Sequence, residues 1–94
     1  MAFAPNLYMI FHLKLGPDPD ERKRKLFSLI RAGEISLGGY KKNKIYGLLN
    51  CASGKGMKVE NRVFFKDESE ALQAGYRPCA RCLRQAYKMW KLTH

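Results

Sequence analysis

The sequence has few residues of several types, and each shortage excludes a class of protein. It has three cysteines, an odd number, whereas a secreted disulfide framework normally has an even one. No apolar run approaches the roughly 20 residues of a membrane span, and the first residues lack the basic segment of a signal peptide. The apolar stretch near the start is broken by Asn6, His12 and Lys14. We therefore expect a cytoplasmic protein whose reduced thiols are available to a metal.

Acidic residues are also scarce, with eight Asp and Glu against 18 Lys and Arg. The resulting net charge of +10 predicts attraction to polyanions, and first of all to nucleic acid. The alternative is a basic protein with no specific partner. A chain of 94 residues makes one small domain, in which a structural metal would add stability that a limited core does not supply.

The three cysteines fall in two places, at Cys51 and in the turn Cys79-Ala80-Arg81-Cys82. Two thiolates at this spacing can bind one tetrahedral metal from a single tight turn, and Pro78 stiffens the entry to that turn. Cys51 would close the site over a long loop. The pattern predicts a thiolate-rich centre with Zn²⁺ as the first choice and iron as another possibility. The alternative is three small buried apolar side chains.

Helix and strand signals predict a small α+β fold, a short β-sheet with flanking helices. One helix is predicted from the Asp18 cap to about Ala32, with Gly33 as its C-terminal stop, a second begins at Asp67, and the last begins near Cys82. The clearest strand candidates are 45–49 and 62–66. Capping at helix starts accounts for the acidic residues, and no Ser/His/Asp set or carboxylate pair indicates catalysis.

Residues 34–39 predict only a short connection or edge segment, because glycines end them. In the last helix, Tyr87 and Trp90 recur at helical spacing. That spacing favours packing against the rest of the protein, and a platform for stacking bases is the alternative.

The segment from Lys44 to Cys82 resembles the zinc-binding N-terminal domain of the Ada family of DNA-repair proteins. The stretches that carry the resemblance are 45–51 (IYGLLNC), 60–65 (ENRVFF), 70–75 (EALQAG) and 76–82 (YRPCARC). The resemblance implies a zinc-stabilised α+β domain. We therefore expect a single domain over 1–94, with the Ada-like segment at about 44–82 and an N-terminal helical extension at about 1–43.

One departure from the family pattern affects function. The family binds zinc through four cysteines, and the first of a C-x-x-x-C pair also accepts a methyl group from a methylated DNA phosphate. Cys51 matches the second cysteine of that pair, but the first falls on Gly47. The resemblance therefore implies a zinc domain that lacks both the acceptor thiol and one metal ligand.

The fourth metal ligand remains open. His12 is one candidate, because zinc accepts imidazole readily, although a histidine beside the core with one hydrogen bond is an equal alternative. Water is another candidate and would leave the site open. His94 is discounted because it stands at the very C-terminus, where chains usually fray.

Three functions are consistent with these features. The first is a zinc-held module that binds nucleic acid, with duplex DNA as the expected partner and no methyl acceptance. The second is repair of DNA methylphosphotriesters by transfer to another cysteine, and the third is a zinc-held scaffold for a protein. The basic residues predicted to contact DNA are Lys41, Lys42, Lys44, Lys55, Lys58, Arg62, Arg77 and Arg81.

Overall fold

The computed structural model describes residues 9–51 and 57–93. The strands are β1 (Ile10–Phe11), β2 (Leu37–Tyr40), β3 (Ile45–Leu48), β4 (Arg62–Phe65) and β5 (Arg77–Pro78). The α-helices are α1 (Pro19–Arg31), α2 (Glu68–Gln73) and α3 (Arg84–Thr93), and single 3-10 turns cover His12–Leu15 and Val59–Asn61. The predicted α+β class is confirmed.

The five strands form one sheet in the order β1-β4-β2-β3-β5. All neighbours are antiparallel except β3 and β5, which are parallel. A four-residue turn joins β2 to β3, and Lys44 in that turn has φ 53°, a left-handed conformation. The chain then returns through β4 to the other side of β2, and α2 leads it across to β5 beside β3.

Strand β2 lies in the middle of the sheet, so the prediction of a connection or edge segment at residues 34–39 is wrong. Gly38 faces Gly47 on one neighbouring strand and Phe64 on the other. Glycine has a low β propensity, and therefore the local sequence gives little strand signal. The extension expected over 1–43 thus contributes β1 and β2 to the same sheet as the Ada-like segment, and no structural boundary falls near residue 43.

The two faces of the sheet carry different side chains, because successive strand residues point to opposite sides. One face forms the core, where Tyr46, Val63 and Phe65 are at most 1% exposed and pack with Ala71 and Tyr76. The other face includes the opposed pair Gly38 and Gly47. Neither glycine contributes a side chain to this second face, on which Phe64, the partner of Gly38 in β4, is only 1% exposed.

The helices begin at the predicted caps. The Asp18 carboxylate accepts a hydrogen bond from the Glu21 N–H at 2.9 Å, and the Asp67 carboxylate accepts one from the Glu70 N–H at 3.0 Å. Gly33, with φ 79°, follows α1 and lies in the left-handed region that glycine favours. In the part of the chain that the structure describes, no helix has the length and apolarity needed to cross a membrane.

The two glycines of β2 should differ sharply in their tolerance of a methyl group. A Cβ at Gly39 would lie 2.9 Å from Val63 Cγ2 and 3.0 Å from Phe65 Cε2, inside the packed core. A Cβ at Gly38 would meet nothing closer than 3.8 Å. We expect Gly39→Ala to lower the free energy of unfolding by about 1–3 kcal/mol.

Gly38→Ala is the matched control and should leave stability unchanged or slightly raised, because it restricts the unfolded chain without crowding the fold. Urea unfolding of the zinc-loaded proteins measures both values. Equal losses in the two variants would contradict the described packing of the core face.

Candidate metal centre

Three chain segments bring the cysteines together. Cys51 follows β3 and its N–H donates to the Leu48 carbonyl at 3.1 Å. Cys79 follows β5, and its N–H donates to the Tyr46 carbonyl at 2.8 Å, which continues the parallel pairing of β3 and β5. Cys82 lies two residues before α3, in the turn that Cys79 begins. Strand pairing therefore places the C-x-x-C turn directly beside the end of β3.

The three Sγ atoms all lie within 4.8 Å of one another, and those of Cys51 and Cys79 are 3.9 Å apart. Because Zn–S bonds are about 2.3 Å long, two sulfurs at corners of a zinc tetrahedron lie about 3.8 Å apart. The cysteine geometry therefore fits Zn²⁺, and three soft sulfur donors favour zinc over hard cations.

Backbone amides support two of the sulfurs. The Leu48 N–H donates to Cys82 Sγ at 3.3 Å, and the Arg81 N–H donates to Cys79 Sγ at 3.4 Å. Such contacts orient a thiolate ligand and reduce its excess negative charge. Because both donors are backbone groups, this support depends on the strand end and the turn rather than on side-chain identity.

Without a metal, the surroundings of Cys82 disfavour its charged thiolate. Burial, together with the neighbouring Cys51 and Cys79, raises the pKa of Cys82 to about 12, although the hydrogen bond from the Leu48 N–H acts in the opposite direction. A divalent cation reverses this preference, because thiolates bind metal only after losing their protons. The thiols are therefore arranged for a bound cation.

A family model for the metal-binding domain of Ada matches residues 31–84. Together with the cysteine cluster, this match defines a small thiolate zinc domain. The chain belongs to the family of Ada metal-binding domains, and its cofactor is Zn²⁺. No curated protein and no solved structure matched the chain. Helix α3 lies almost entirely beyond the matched segment, which ends at its first residue.

Gly47 faces the cluster from β3. A Cβ at this position would lie 2.8 Å from Cys82 Sγ, 3.2 Å from Cys79 Cβ and 3.9 Å from Cys51 Cβ. Position 47 resembles the family's methyl-acceptor position. A side chain at this position would therefore point at the three sulfurs, as a metal ligand would. In this chain the position has no side chain, and Cys82 Sγ approaches its backbone closely.

The prediction that His12 supplies the fourth ligand is not supported, because the structure places it far from the cysteines. His12 follows β1, and β4 and β2 separate that strand from β3. Three strand spacings amount to roughly 14 Å. Instead, the imidazole packs edge-on against Phe64, with ring centroids 5.3 Å apart.

The environment of His12 is apolar and cationic. Burial lowers its pKa, and the charges of Arg62 and Arg22 lower it further. Its Nδ1 atom is buried and has no hydrogen-bond partner among the described residues. Among those residues, the only group of three or more His, Cys, Asp or Glu placed to hold a metal is the cysteine trio. His94 lies outside the described residues.

The basic residues expected to contact DNA have different surroundings. Lys41, Lys42 and Lys44 are exposed in the turn between β2 and β3, and Lys58 and Arg81 are also exposed. Arg62 and Arg77 are half-buried, and Lys55 lies outside the described residues. Their contact with DNA stays a prediction. Exposure makes the turn lysines and Arg81 accessible to a polyanion.

Arg77 already has intramolecular partners. Its guanidinium lies 5.4 Å from the Tyr87 ring centroid and 5.9 Å from that of Trp90. It also donates a hydrogen bond to the Pro78 carbonyl at 3.3 Å. The half-buried Tyr87 and Trp90 thus pack on Arg77, outside the buried core cluster, and this contact attaches α3 to β5. Neutralising Arg77 would therefore perturb the fold as well as the surface charge.

Sequence reasoning missed a cavity of about 150 Å³ beside the metal centre. Its lining includes Gly38, Leu49, Met57 and Arg62, together with Cys51 and Cys79. The dipeptide Gly38-Gly39 could have indicated this cavity, since glycine inside a strand often marks a place where a ligand or another part of the chain approaches the backbone closely.

Loss of one thiolate should weaken zinc binding severely. We expect Cys82→Ser to lower zinc affinity by more than the roughly 10- to 100-fold that follows loss of an outer-shell contact, because it removes a direct ligand. Thermal unfolding of this variant should also become nearly insensitive to a chelator, since metal-binding energy contributes to folding.

Ala80→Ser is the matched control, because it places the same side chain at an exposed position between the two cysteines. Competition with a chromophoric chelator measures the affinities, and native mass spectrometry measures the stoichiometry. Unchanged zinc affinity in Cys82→Ser would remove that residue from the ligand set.

Proposed function

We propose that this protein is a zinc-held module that binds nucleic acid, with duplex DNA as its partner, and that it accepts no methyl group. The observation that carries the proposal is Gly47, which faces the three sulfurs at the position of the family's acceptor but has no thiol. Each of the remaining cysteines is needed as a metal ligand. Methylation of one of them would remove a charged donor from the zinc.

The charge distribution supports binding to a polyanion. No acidic residue occurs in 35–59 or from 71 to 94, and these two segments contain all three cysteines. They also contain Lys41, Lys42 and Lys44, which are exposed in one turn, and the exposed Arg81. A phosphate backbone approaching the metal centre would therefore meet positive charge without a compensating carboxylate on these segments.

DNA binding is tested by its dependence on salt. Affinity for duplex DNA should fall steeply as salt increases, because basic side chains displace condensed counterions. Arg81→Gln should weaken binding similarly on different sequences and reduce the slope of log affinity against log salt by about 1.

Lys23→Gln is the matched control, because it removes one exposed positive charge from α1, which packs on the 3-10 turn after β1. Its salt slope should equal that of the wild type. Fluorescence anisotropy with a labelled duplex measures all three proteins. Absence of affinity at low salt would overturn the DNA proposal and favour a protein-binding scaffold.

Methyl acceptance is tested separately on duplex DNA containing methylphosphotriesters. We expect the intact mass of the zinc-loaded wild type to stay unchanged after incubation. Gly47→Cys places a thiol against the sulfur cluster and should gain one methyl group, provided Cys82 Sγ moves away from the new Cβ.

Gly47→Ser controls for the added bulk, since it has a side chain of similar size without a thiol. Peptide mapping locates any methyl group. Methylation of the wild type at Cys51, Cys79 or Cys82 would show that transfer has moved to a different thiol and would refute the second half of the proposal.

A further inference from the structure

The cavity beside the metal centre lies on the face of the sheet opposite the core. The strand register places Gly38, Gly47, Ile45 and Arg62 on this face. Gly38 and Gly47 form part of the floor of the cavity, and Gly38 is the one of the two whose missing side chain leaves room there. A Cβ at Gly38 would lie at an ordinary van der Waals distance of 3.8 Å from Leu49 Cδ2, whereas a Cβ at Gly47 would collide with Cys82 Sγ at 2.8 Å.

One wall of the cavity belongs to the metal centre. Cys51 and Cys79 line it, and so does Gly47, whose missing side chain would have pointed to the sulfurs. Among the described residues, no fourth His, Cys, Asp or Glu joins the three cysteines. Zinc in proteins is almost always four-coordinate, and a site with three protein ligands takes an external fourth one. A metal held by these three cysteines would therefore have one coordination position left for a ligand beside the cavity.

The remaining walls define the chemistry of that ligand. Ile45, Leu49 and Met57 make most of the lining apolar, and Arg62 supplies the one cation among the described lining residues. An apolar cavity of about 150 Å³ that is partly open to solvent has room for a molecule of about six heavy atoms, the size of benzene. The occupant therefore combines a donor for a thiolate-bound zinc, a short hydrocarbon and an anionic group.

We propose that the zinc centre binds a small alkyl thiol that carries a carboxylate, with its sulfur on the metal, its hydrocarbon in the cavity and its carboxylate at Arg62. Sulfur suits the metal because a fourth thiolate completes the four-sulfur environment common in zinc domains. On binding, the thiol would lose its S–H proton to solvent and would occupy the fourth position of a metal held by Cys51, Cys79 and Cys82, with no change of oxidation state. The inference goes beyond the proposed function, because it requires no nucleic acid.

The test uses the full chain loaded with Co²⁺, whose visible absorption reports the number of sulfur ligands. 3-Mercaptopropionate has six heavy atoms and is the probe. Its addition should increase the thiolate-to-cobalt absorption in a saturable manner, and native mass spectrometry should show one protein, one cobalt and one thiol. 1-Propanethiol lacks the carboxylate and should bind roughly tenfold more weakly, because a charge-assisted contact is lost.

Two variants separate the parts of the proposal. Gly38→Val fills the cavity and should weaken binding of both thiols by at least roughly tenfold, whereas Gly38→Ala, the smaller change, should weaken it less. Arg62→Met removes the guanidinium and its charge but keeps an unbranched, flexible apolar side chain, and it should abolish the preference for 3-mercaptopropionate. An unchanged cobalt spectrum before thiol addition shows that each variant keeps its metal centre.

Each contrary result overturns a stated part of the inference. Absence of any spectral change with either thiol, or loss of cobalt without a ternary complex, would refute thiol binding at the metal. Equal affinities in the wild type and Gly38→Val would refute occupation of the cavity. Equal affinities for the two thiols would refute the role of Arg62. All of these outcomes are independent of DNA affinity, which anisotropy measures on the zinc-loaded protein.

Discussion

Three sulfur atoms within 4.8 Å of one another, from the buried Cys79 and the half-buried Cys51 and Cys82, need a cation between them, and much of this structure depends on that need. The sulfurs come from the end of β3, the end of β5 and the turn before α3. Backbone bonds from the Cys79 N–H to the Tyr46 carbonyl and from the Leu48 N–H to Cys82 Sγ join β3 to the turn after β5. Because burial favours the protonated Cys82 thiol, a bound metal stabilises the thiolate cluster and adds a link between the sheet and the turn before the last helix.

Local chemistry was predictable from the sequence, and strand order was not. The helix caps at Asp18 and Asp67 each depend on a few adjacent residues. The same holds for β3, the strand before Cys51, and for the C-x-x-C turn. The central position of Gly38-Gly39 depends on pairing with two distant strands, which a glycine dipeptide does not indicate. The same strand order places His12 at the opposite edge of the sheet from the cysteines, a separation that composition and spacing cannot reveal.

Gly47 gives the metal centre two properties at once. Loss of the family's acceptor thiol removes a nucleophile, and loss of its side chain leaves one metal ligand to be supplied from elsewhere. The proposed nucleic-acid binding and the proposed thiol binding would use different parts of the molecule. The first would depend on exposed charge around the β2–β3 turn and Arg81, and the second on the partly open cavity beside Gly38. On these proposals, an Ada-type domain with glycine at position 47 would have a metal centre that binds a ligand and does not act as a nucleophile.

The strand order also bears on self-association. Val63-Phe64-Phe65 in β4 is the segment that most resembles an aggregation-prone sequence, being apolar, β-rich and free of proline. It lies between β1 and β2, so both of its hydrogen-bonding edges are occupied. The outer strands of the described sheet, β1 and β5, have two residues each, and β5 ends in Pro78, which has no N–H to donate. A second copy of the chain therefore finds only short, incomplete edges to pair with, which favours a chain that stays dispersed at high concentration.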